Sequence, residues 1–219
     1  MQNKSITPDF WRHVNANTLL YLPFDTTNTK NDMSNNHRTT TQWGSVVYGT
    51  YQGVNCWNFE GQWYVQVATW NIPSQYTIIV RANNTQWYYS WDWKMIDFRI
   101  SWWNETIIWF STNWRWSSKL WQFNNSTQNK WFMFALKCNW WSGTCRMLWQ
   151  WVDLTISWSW LINNQTPAAF NFWNEYNNAS WTPRYFKGLI SQAIMEQWLR
   201  TDADIIKHYN KLKNKYWIT

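Results

Sequence analysis

The chain has 219 residues with a formal net charge of +7, and it contains 25 Trp but only 6 Gly. A chain of this length can bury a hydrophobic core without disulfide or metal support, and one domain is expected. Lys207, Lys211, Lys213 and Lys215 lie close to the C-terminus, whereas the other basic residues are scattered. This distribution argues against a nucleic-acid binder, which would cluster its basic residues on one face.

The sequence also argues against membrane insertion. It contains no apolar run of about 18 residues, the length that predicts a spanning helix. The first twenty residues lack the continuous apolar segment of a signal peptide. The chain is therefore expected to be either cytoplasmic or a piece of a larger secreted protein.

Short alternating segments rich in β-branched and aromatic residues follow one another along the chain, bounded by Asn, Ser and Gly, a pattern typical of strands. Ten strands are predicted, over 18–24, 63–68, 76–82, 94–101, 105–111, 119–123, 131–138, 145–150, 152–157 and 185–195. The polar stretch 163–184 is predicted to be a long loop. So many strands without intervening helices indicate an all-β protein, an antiparallel two-sheet sandwich.

One helix is predicted at the end of the chain, over 201–215. Thr201 and Asp204 form a capping-box pattern, T-x-x-D. Acidic residues open the segment and lysines close it, which suits the helix dipole. The apolar residues that follow the cap fall at helical spacing: Ile205, Ile206, Tyr209 and Leu212.

The three cysteines and three histidines show no zinc-type spacing, so no structural metal cluster is expected. Cys138 and Cys145 bracket the sequence NWWSGT. They could close a hairpin disulfide in an oxidising compartment. Cys56 would then be left over.

Several segments, in order along the chain, resemble the laminin-G-like, concanavalin A-like jelly-roll domains of bacterial surface proteins. The segment 18–40 resembles the first strand of that family and its D.S.N.R.G loop. NFEGQWYVQV resembles F.G..YV.V, YTIIVRA resembles FTIS.WVK, KWFMFALKC resembles W..VA, and RMLWQW resembles LYVNG. The segment 185–210 resembles the closing strand and helix.

This resemblance implies a jelly-roll domain over 18–219 after an N-terminal extension over 1–17. It also implies a lectin-like, non-catalytic module that recognises a carbohydrate or a protein at the cell surface or outside the cell. Two alternatives stay open, a structural or adhesive spacer without a small ligand and a degenerate glycoside hydrolase. The domain is expected to be part of a larger multidomain chain.

The tryptophans stand where turns are expected, although turns favour Gly, Asn, Asp, Pro and Ser. The resemblance places Trp151 at the Gly of the family's Asn-Gly hairpin turn. We interpret six more as turn glycines: Trp63, Trp140, Trp141, Trp158, Trp160 and Trp217. UGA encodes Trp in one variant genetic code and Gly in another, so a UGA-as-Gly gene translated with the wrong table would show this pattern.

Some tryptophans are expected to be genuine. Trp131 stands where the family itself has Trp, and Trp121 and Trp149 lie within predicted strands among apolar residues. Trp91 and Trp93 stay undecided. If most of the others are glycines in the organism, the abundance of Trp is not evidence for sugar binding.

The remaining candidate ligand-binding residues are polar or aromatic and lie in two predicted loops: Asn35, Asn36, His37, Arg38, Asn174 and Tyr176. No cofactor is expected, although calcium, which needs several oxygen ligands, is possible at Asp25 and Asp32. An Asx-rich turn explains the same residues without a metal.

Glycan hydrolysis is not expected. A retaining glycosidase needs two carboxyl groups about 5–5.5 Å apart. The chain has only four Glu, at 60, 105, 175 and 196, and none has another carboxylate two residues away. Asp92 and Asp97 differ by five positions, an odd offset that places them on opposite faces of a strand. The chain also lacks a G-x-S-x-G nucleophile elbow, even with Gly in place of Trp.

Overall fold

The computed structural model describes residues 14–24, 31–44, 46–60, 64–85, 93–101, 104–110, 120–123, 129–140, 142–149, 152–159, 166, 169–172 and 187–216. They form fourteen strands and one helix. The elements are β1 (Thr18–Leu22), β2 (Thr40–Trp43), β3 (Val47–Tyr51), β4 (Val54–Glu60), β5 (Tyr64–Val67), β6 (Gln75–Asn84), β7 (Trp93–Ser101), β8 (Asn104–Phe110), β9 (Leu120–Phe123), β10 (Trp131–Asn139), β11 (Ser142–Trp149), β12 (Val152–Ser159), β13 (Ala169–Phe172), β14 (Lys187–Glu196) and α1 (Asp202–Tyr216).

The strands form two sheets. Sheet A has eight strands in the order β12-β11-β10-β6-β14-β4-β3, with β1 also paired to β14. Sheet B has six strands in the order β2-β5-β13-β7-β8-β9. The predicted all-β jelly-roll sandwich with a short C-terminal helix is confirmed. The domain boundary between residues 17 and 18 stays a prediction, because residues 1–13 lie outside the described part of the chain.

The main core lies between the two sheets. Alternate residues of β10, Phe132, Phe134 and Leu136, point into it and are fully buried. Sheet B contributes Phe170 of β13 and Val65 of β5. Burying an aromatic or aliphatic side chain of this kind contributes about 1.5–3 kcal/mol, so this layer is the main source of stability.

A second apolar layer covers the opposite face of sheet A. Ile205 and Tyr209 of α1 pack there with Ile79, Met133 and Ile194. This explains why β6 and β10 read as almost continuous apolar segments, since both of their faces are buried. Ile206, another of the apolar residues at helical spacing, is 37% exposed.

The start of α1 is fixed to sheet A by its cap and by ion pairs. Asp204 N–H donates to Thr201 Oγ1 at 3.1 Å, as the capping pattern predicts. The Asp202 carboxylate pairs with Lys137 Nζ of β10 and lies 3.6 Å from Arg146 Nη1 of β11. The hydrogen bond from Lys137 lowers the pKa of the Asp202 carboxyl.

Four of the described strand pairs are joined by only two residues, as their terminal partners show: Tyr51↔Val54, Ser101↔Asn104, Asn139↔Ser142 and Trp149↔Val152. The first connection is Gln52–Gly53, with φ of 50° and 74°. Two positive φ values define the type I′ turn that suits such hairpins. The other three connections are Trp102–Trp103, Trp140–Trp141 and Gln150–Trp151, and Trp140 has a φ of 58°.

The structure corrects several sequence-based expectations. The predicted loop 163–184 contains β13, which lies between β5 and β7 in sheet B. Strands β2, β3 and β4 were not predicted as separate elements. The sheets are not antiparallel throughout, because β8 and β9 pair in parallel. Trp158 does not lie in a turn, since it pairs with Gly143 within β12.

The hairpin disulfide is not formed. Cys138 carries a free, buried thiol, and Cys56 is also free and buried. Cys138 lies opposite Gly143, and Cys145 lies opposite Leu136. The two cysteines are therefore diagonal rather than direct partners, a separation of about 7–8 Å that exceeds the span of a disulfide. Burial raises the pKa of the Cys138 thiol to about 12.

Candidate functional site: the Asp32 loop

The candidate site is the loop of residues 31–38, which we call the Asp32 loop. It precedes β2 and lies against the open edge of β1. Asn36 Nδ2 donates to the carbonyls of Thr18 and Leu19, each at 3.1 Å. The Met33 N–H donates to Tyr21 O at 2.8 Å. The loop thus bonds backbone groups that an edge strand would otherwise expose.

Asp32 organises this loop. Its side chain is 3% exposed, and both of its oxygens accept hydrogen bonds. Oδ1 accepts from the N–H groups of Tyr21 and Ser34, both at 2.9 Å. Oδ2 accepts from Ser34 Oγ at 2.8 Å and from the Arg38 N–H at 2.9 Å. A carboxylate that accepts several such bonds fixes the backbone around it.

Arg38 connects the Asp32 loop to sheet B. Its Nε donates to Leu19 O at 3.1 Å, and its guanidinium carbon lies 4.1 Å from the ring centroid of Trp70. Trp70 in turn meets Phe170 of β13 edge to face, with ring centroids 5.0 Å apart. Burial lowers the pKa of Arg38, and the Asp32 carboxylate opposes that shift.

The structure brings four predicted ligand-binding residues together in this loop, but they differ in role. Asn36 and Arg38 use side-chain groups to bond the carbonyls of β1. Asn35 and His37 are exposed. His37 adopts a φ of 46°, and its N–H donates to Ser34 O at 3.2 Å. Of the four, Asn35 and His37 are therefore the residues best placed to meet a ligand.

The calcium prediction stays a prediction. Asp25 lies outside the described residues, and so do Asn174 and Tyr176. At Asp32 the four donated hydrogen bonds occupy the oxygens that a cation would need, and this fits an Asx-organised turn better than a calcium ligand. Within the described part of the chain, no group of three or more His, Cys, Asp or Glu side chains is placed to hold a metal ion.

Sequence reasoning missed Trp70. Its contact with Arg38 depends on sheet B lying beside the Asp32 loop, and the segment TWNIP carries no local signal of that contact. The spacing of Asp32, Ser34, Asn36 and Arg38, in contrast, is visible in the sequence and predicts the loop.

The described residues include no helix that has both the length and the apolar character needed to cross a membrane.

The solved structures compared below share this architecture at low sequence identity. No protein-family model matches the chain, and no curated protein matches it either. Domain 4 of AbnA, a GH43 extracellular arabinanase from Geobacillus stearothermophilus solved in complex with arabinotriose, superposes with a TM-score of 0.59 at 14% identity. The match covers 87% of this chain and 97% of that domain.

Two further solved structures share the fold. The botulinum neurotoxin serotype C1 binding domain matches with a TM-score of 0.61 at 16% identity, over 91% of this chain but 53% of that one. The enzymatically active domain of tailspike protein 2 of bacteriophage CBA120 matches with a TM-score of 0.53 at 8% identity, over 78% of this chain and 30% of that one. The class defined by the fold is thus a β-sandwich, which also occurs in a domain solved with arabinotriose and in a neurotoxin binding domain. At these identities the likeness establishes the fold alone.

Proposed function

We propose that this chain is a non-catalytic recognition module of a secreted or cell-surface bacterial protein, and that it binds a glycan or a surface protein. The carrying observation is the Asp32 loop, in which a buried carboxylate holds the backbone rigid while Asn35 and His37 stay exposed. A preorganised polar surface lowers the entropic cost of binding. The AbnA domain solved with arabinotriose supports this proposal by analogy of fold.

The alternatives are a spacer domain and a degenerate hydrolase. A glycan array probed with the purified protein separates the first alternative from the proposal. We expect binding to a restricted set of glycans, lost in the variant Asn35→Ala/His37→Ala. The matched control is Asn210→Ala, which removes an exposed amide from α1. Binding of no glycan and no surface protein would support the spacer, and hydrolysis of the bound glycan would support the enzyme.

The finer family assignment also belongs to this proposal. We infer a laminin-G-like, concanavalin A-like domain, because the residues matching the D.S.N.R loop pattern hydrogen-bond to one another or to β1. Ser34 donates to Asp32, and the Arg38 N–H does the same. Asn36 and the Arg38 side chain bond the first strand. Hydrogen bonds among the residues of the motif, and from them to the first strand, are stronger support for the relationship than the match of single residues in the sequence.

We further propose that many of the tryptophans are glycines in the organism. The support is the comparison of hairpin connections. YQGV at 51–54 and WQWV at 149–152 each contain a two-residue connection between two paired strands. Gly53 has a positive φ in the first, and Trp151 stands at its position in the second. Trp140, at the first position of another such connection, has a φ of 58°, which costs a non-glycine residue about 1–2 kcal/mol.

Other tryptophans fit their positions and support only a partial conversion. Trp131 is 5% exposed, and Trp57 is 4% exposed and packs against Phe24 at a ring-centroid distance of 5.5 Å. Trp158 lies in a strand, so nothing in its backbone pairing requires Gly. The recoding proposal therefore rests on the hairpin connections rather than on the total number of Trp.

A further inference from the structure

A pocket lies between α1 and the segment 197–200 that leads into it. Its volume is about 280 Å³, slightly below the range of about 300–1,000 Å³ typical of sites for drug-sized ligands. The pocket therefore suits one small residue of a longer ligand. Six residues line it: Trp198, Arg200, Asp204, Lys207, His208 and Lys211.

Trp198 and Arg200 form one wall of the pocket, and both are held by Glu196, which is fully buried. Its carboxylate accepts from Arg200 Nη2 at 2.7 Å and from Trp198 Nε1 at 3.0 Å. The backbone is held as well, because Thr77 Oγ1 donates to Trp198 O at 2.7 Å and accepts from the Arg200 N–H at 3.0 Å. The indole is thus anchored by its N–H while 44% of the residue stays exposed, an arrangement that suits a contact surface.

The other wall carries positive charge. Lys207 and Lys211 are exposed and lie four residues apart, which places them on the same face of α1. Like charges at this spacing repel each other, so an anion between them is favoured. Arg200 is paired with Glu196, and the Asp204 carboxylate already accepts from Thr201 Oγ1 at 2.7 Å. The Asp204 carboxylate keeps its negative charge when it accepts this bond, so the lining carries two lysines against one exposed carboxylate and has a net positive charge.

We propose that this pocket binds a carboxylated sugar residue of the uronic acid class. The sugar carboxylate would lie between Lys207 and Lys211, and one face of its ring would pack on Trp198. Trp198 is not among the residues with positive φ, so its backbone conformation gives no reason to interpret it as a glycine. The inference rests on the proposed recognition function and adds to it a second site with a defined ligand class.

The test is isothermal titration calorimetry, which measures the dissociation constants of the protein for trigalacturonate and for its neutral methyl ester. We expect the acid to bind and the ester to bind at least about tenfold more weakly, because a charge-assisted contact is lost. Lys207→Gln should weaken binding of the acid about tenfold, and Trp198→Ala should weaken it similarly. Lys130→Gln removes one exposed charge at the start of β10 and should leave binding unchanged. Circular dichroism of each variant checks that it folds.

Several outcomes would overturn the inference. They are equal binding of acid and ester, equal binding of an acidic peptide such as oligoglutamate, and binding of the acid that is insensitive to Lys207→Gln and Trp198→Ala in folded protein. If trigalacturonate does not bind but other glycans bind through Asn35 and His37, the inference fails and the proposed function stands. If neither a glycan nor a surface protein binds, the two fail together.

Discussion

Among the places where the chain turns through a non-glycine residue at positive φ, the Asp32 loop and the β10–β11 hairpin are built differently. In the Asp32 loop, His37 has a φ of 46° and sits beside a carboxylate that accepts four hydrogen bonds. In the β10–β11 hairpin, Trp140 has a φ of 58° and is 54% exposed. Its N–H donates to Ser74 O at 2.7 Å, a bond that a glycine at this position could also make.

The comparison shows that backbone strain is offset by side-chain hydrogen bonds in the Asp32 loop and is not offset in this way in the β10–β11 hairpin. Around His37, side chains chosen for the turn compensate the unfavourable backbone, as is common for Asp, Asn and Ser. At Trp140 the positive φ is adopted by a residue with a bulky side chain, whereas glycine adopts it without strain. The Gln52–Gly53 connection has a non-glycine residue, Gln52, at positive φ in its first position and a glycine at positive φ in its second, so in this hairpin the glycine stands at the second position.

The largest expected effect is the loss of the Asp32 carboxylate. Asp32→Asn replaces an acceptor by an NH₂ group that faces N–H and O–H donors, so we expect the free energy of unfolding to fall by about 3 kcal/mol. Urea denaturation measures the change. Asn35→Ala, an exposed change in the same loop, should be nearly neutral. A neutral Asp32→Asn variant would show that the loop is not held as described.

A smaller effect is expected in the glycine-containing hairpin. A Cβ added at Gly53 meets nothing within 4 Å, and Gly53 has a φ of 74°, so Gly53→Ala tests the backbone alone. We expect it to destabilise the protein by about 1–2 kcal/mol. The control is Gly49→Ala in the neighbouring strand, where a Cβ also meets nothing within 4 Å and φ is not positive. Equal changes in the free energy of unfolding for the two variants would show that the positive φ of Gly53 is not the cause.

The opposite sign is expected at Trp140. Trp140→Gly should stabilise the protein by about 1 kcal/mol, because glycine adopts positive φ without strain. Trp140→Ala removes the indole but keeps the strain, so it should not stabilise. The difference between their urea midpoints separates backbone strain from loss of the side chain. Stabilisation by both variants alike would place the cost in the exposed indole instead.

The smallest expected effect concerns ligand binding. If Trp140 is not a sugar platform, Trp140→Gly leaves every glycan-array signal unchanged, whereas Asn35→Ala/His37→Ala abolishes it. This measurement contrasts the same two regions by function rather than stability. Loss of glycan binding in Trp140→Gly would make the hairpin tryptophans functional and would move the site away from the Asp32 loop.

The extent to which sequence predicted this fold depends on local signal. Strands such as β6 and β10 were found because they bury apolar residues on both faces. The strand β13, with the sequence AFNF, was missed because it is short and lies in a polar stretch. It is a strand only because β5 and β7 pair with it on either side, and such long-range pairing is not visible in a short segment.

The candidate sites divide in the same way. The Asp32 loop was predictable, since its bonds link residues close in sequence or join them to the adjacent first strand. The pocket at α1 was not, because Trp198 and Lys207 line one pocket only when Glu196 and Thr77 fix the segment before the helix. The basic residues near the C-terminus were visible in the sequence, but the anchored indole beside them was not.

The most direct measurement of the central claim is the codon used at each hairpin tryptophan. Our account predicts UGA at Trp102, Trp103, Trp140, Trp141 and Trp151, and UGG at the buried Trp131. UGG codons at the five hairpin positions would contradict the account, and would mean that the organism itself places tryptophan in these turns.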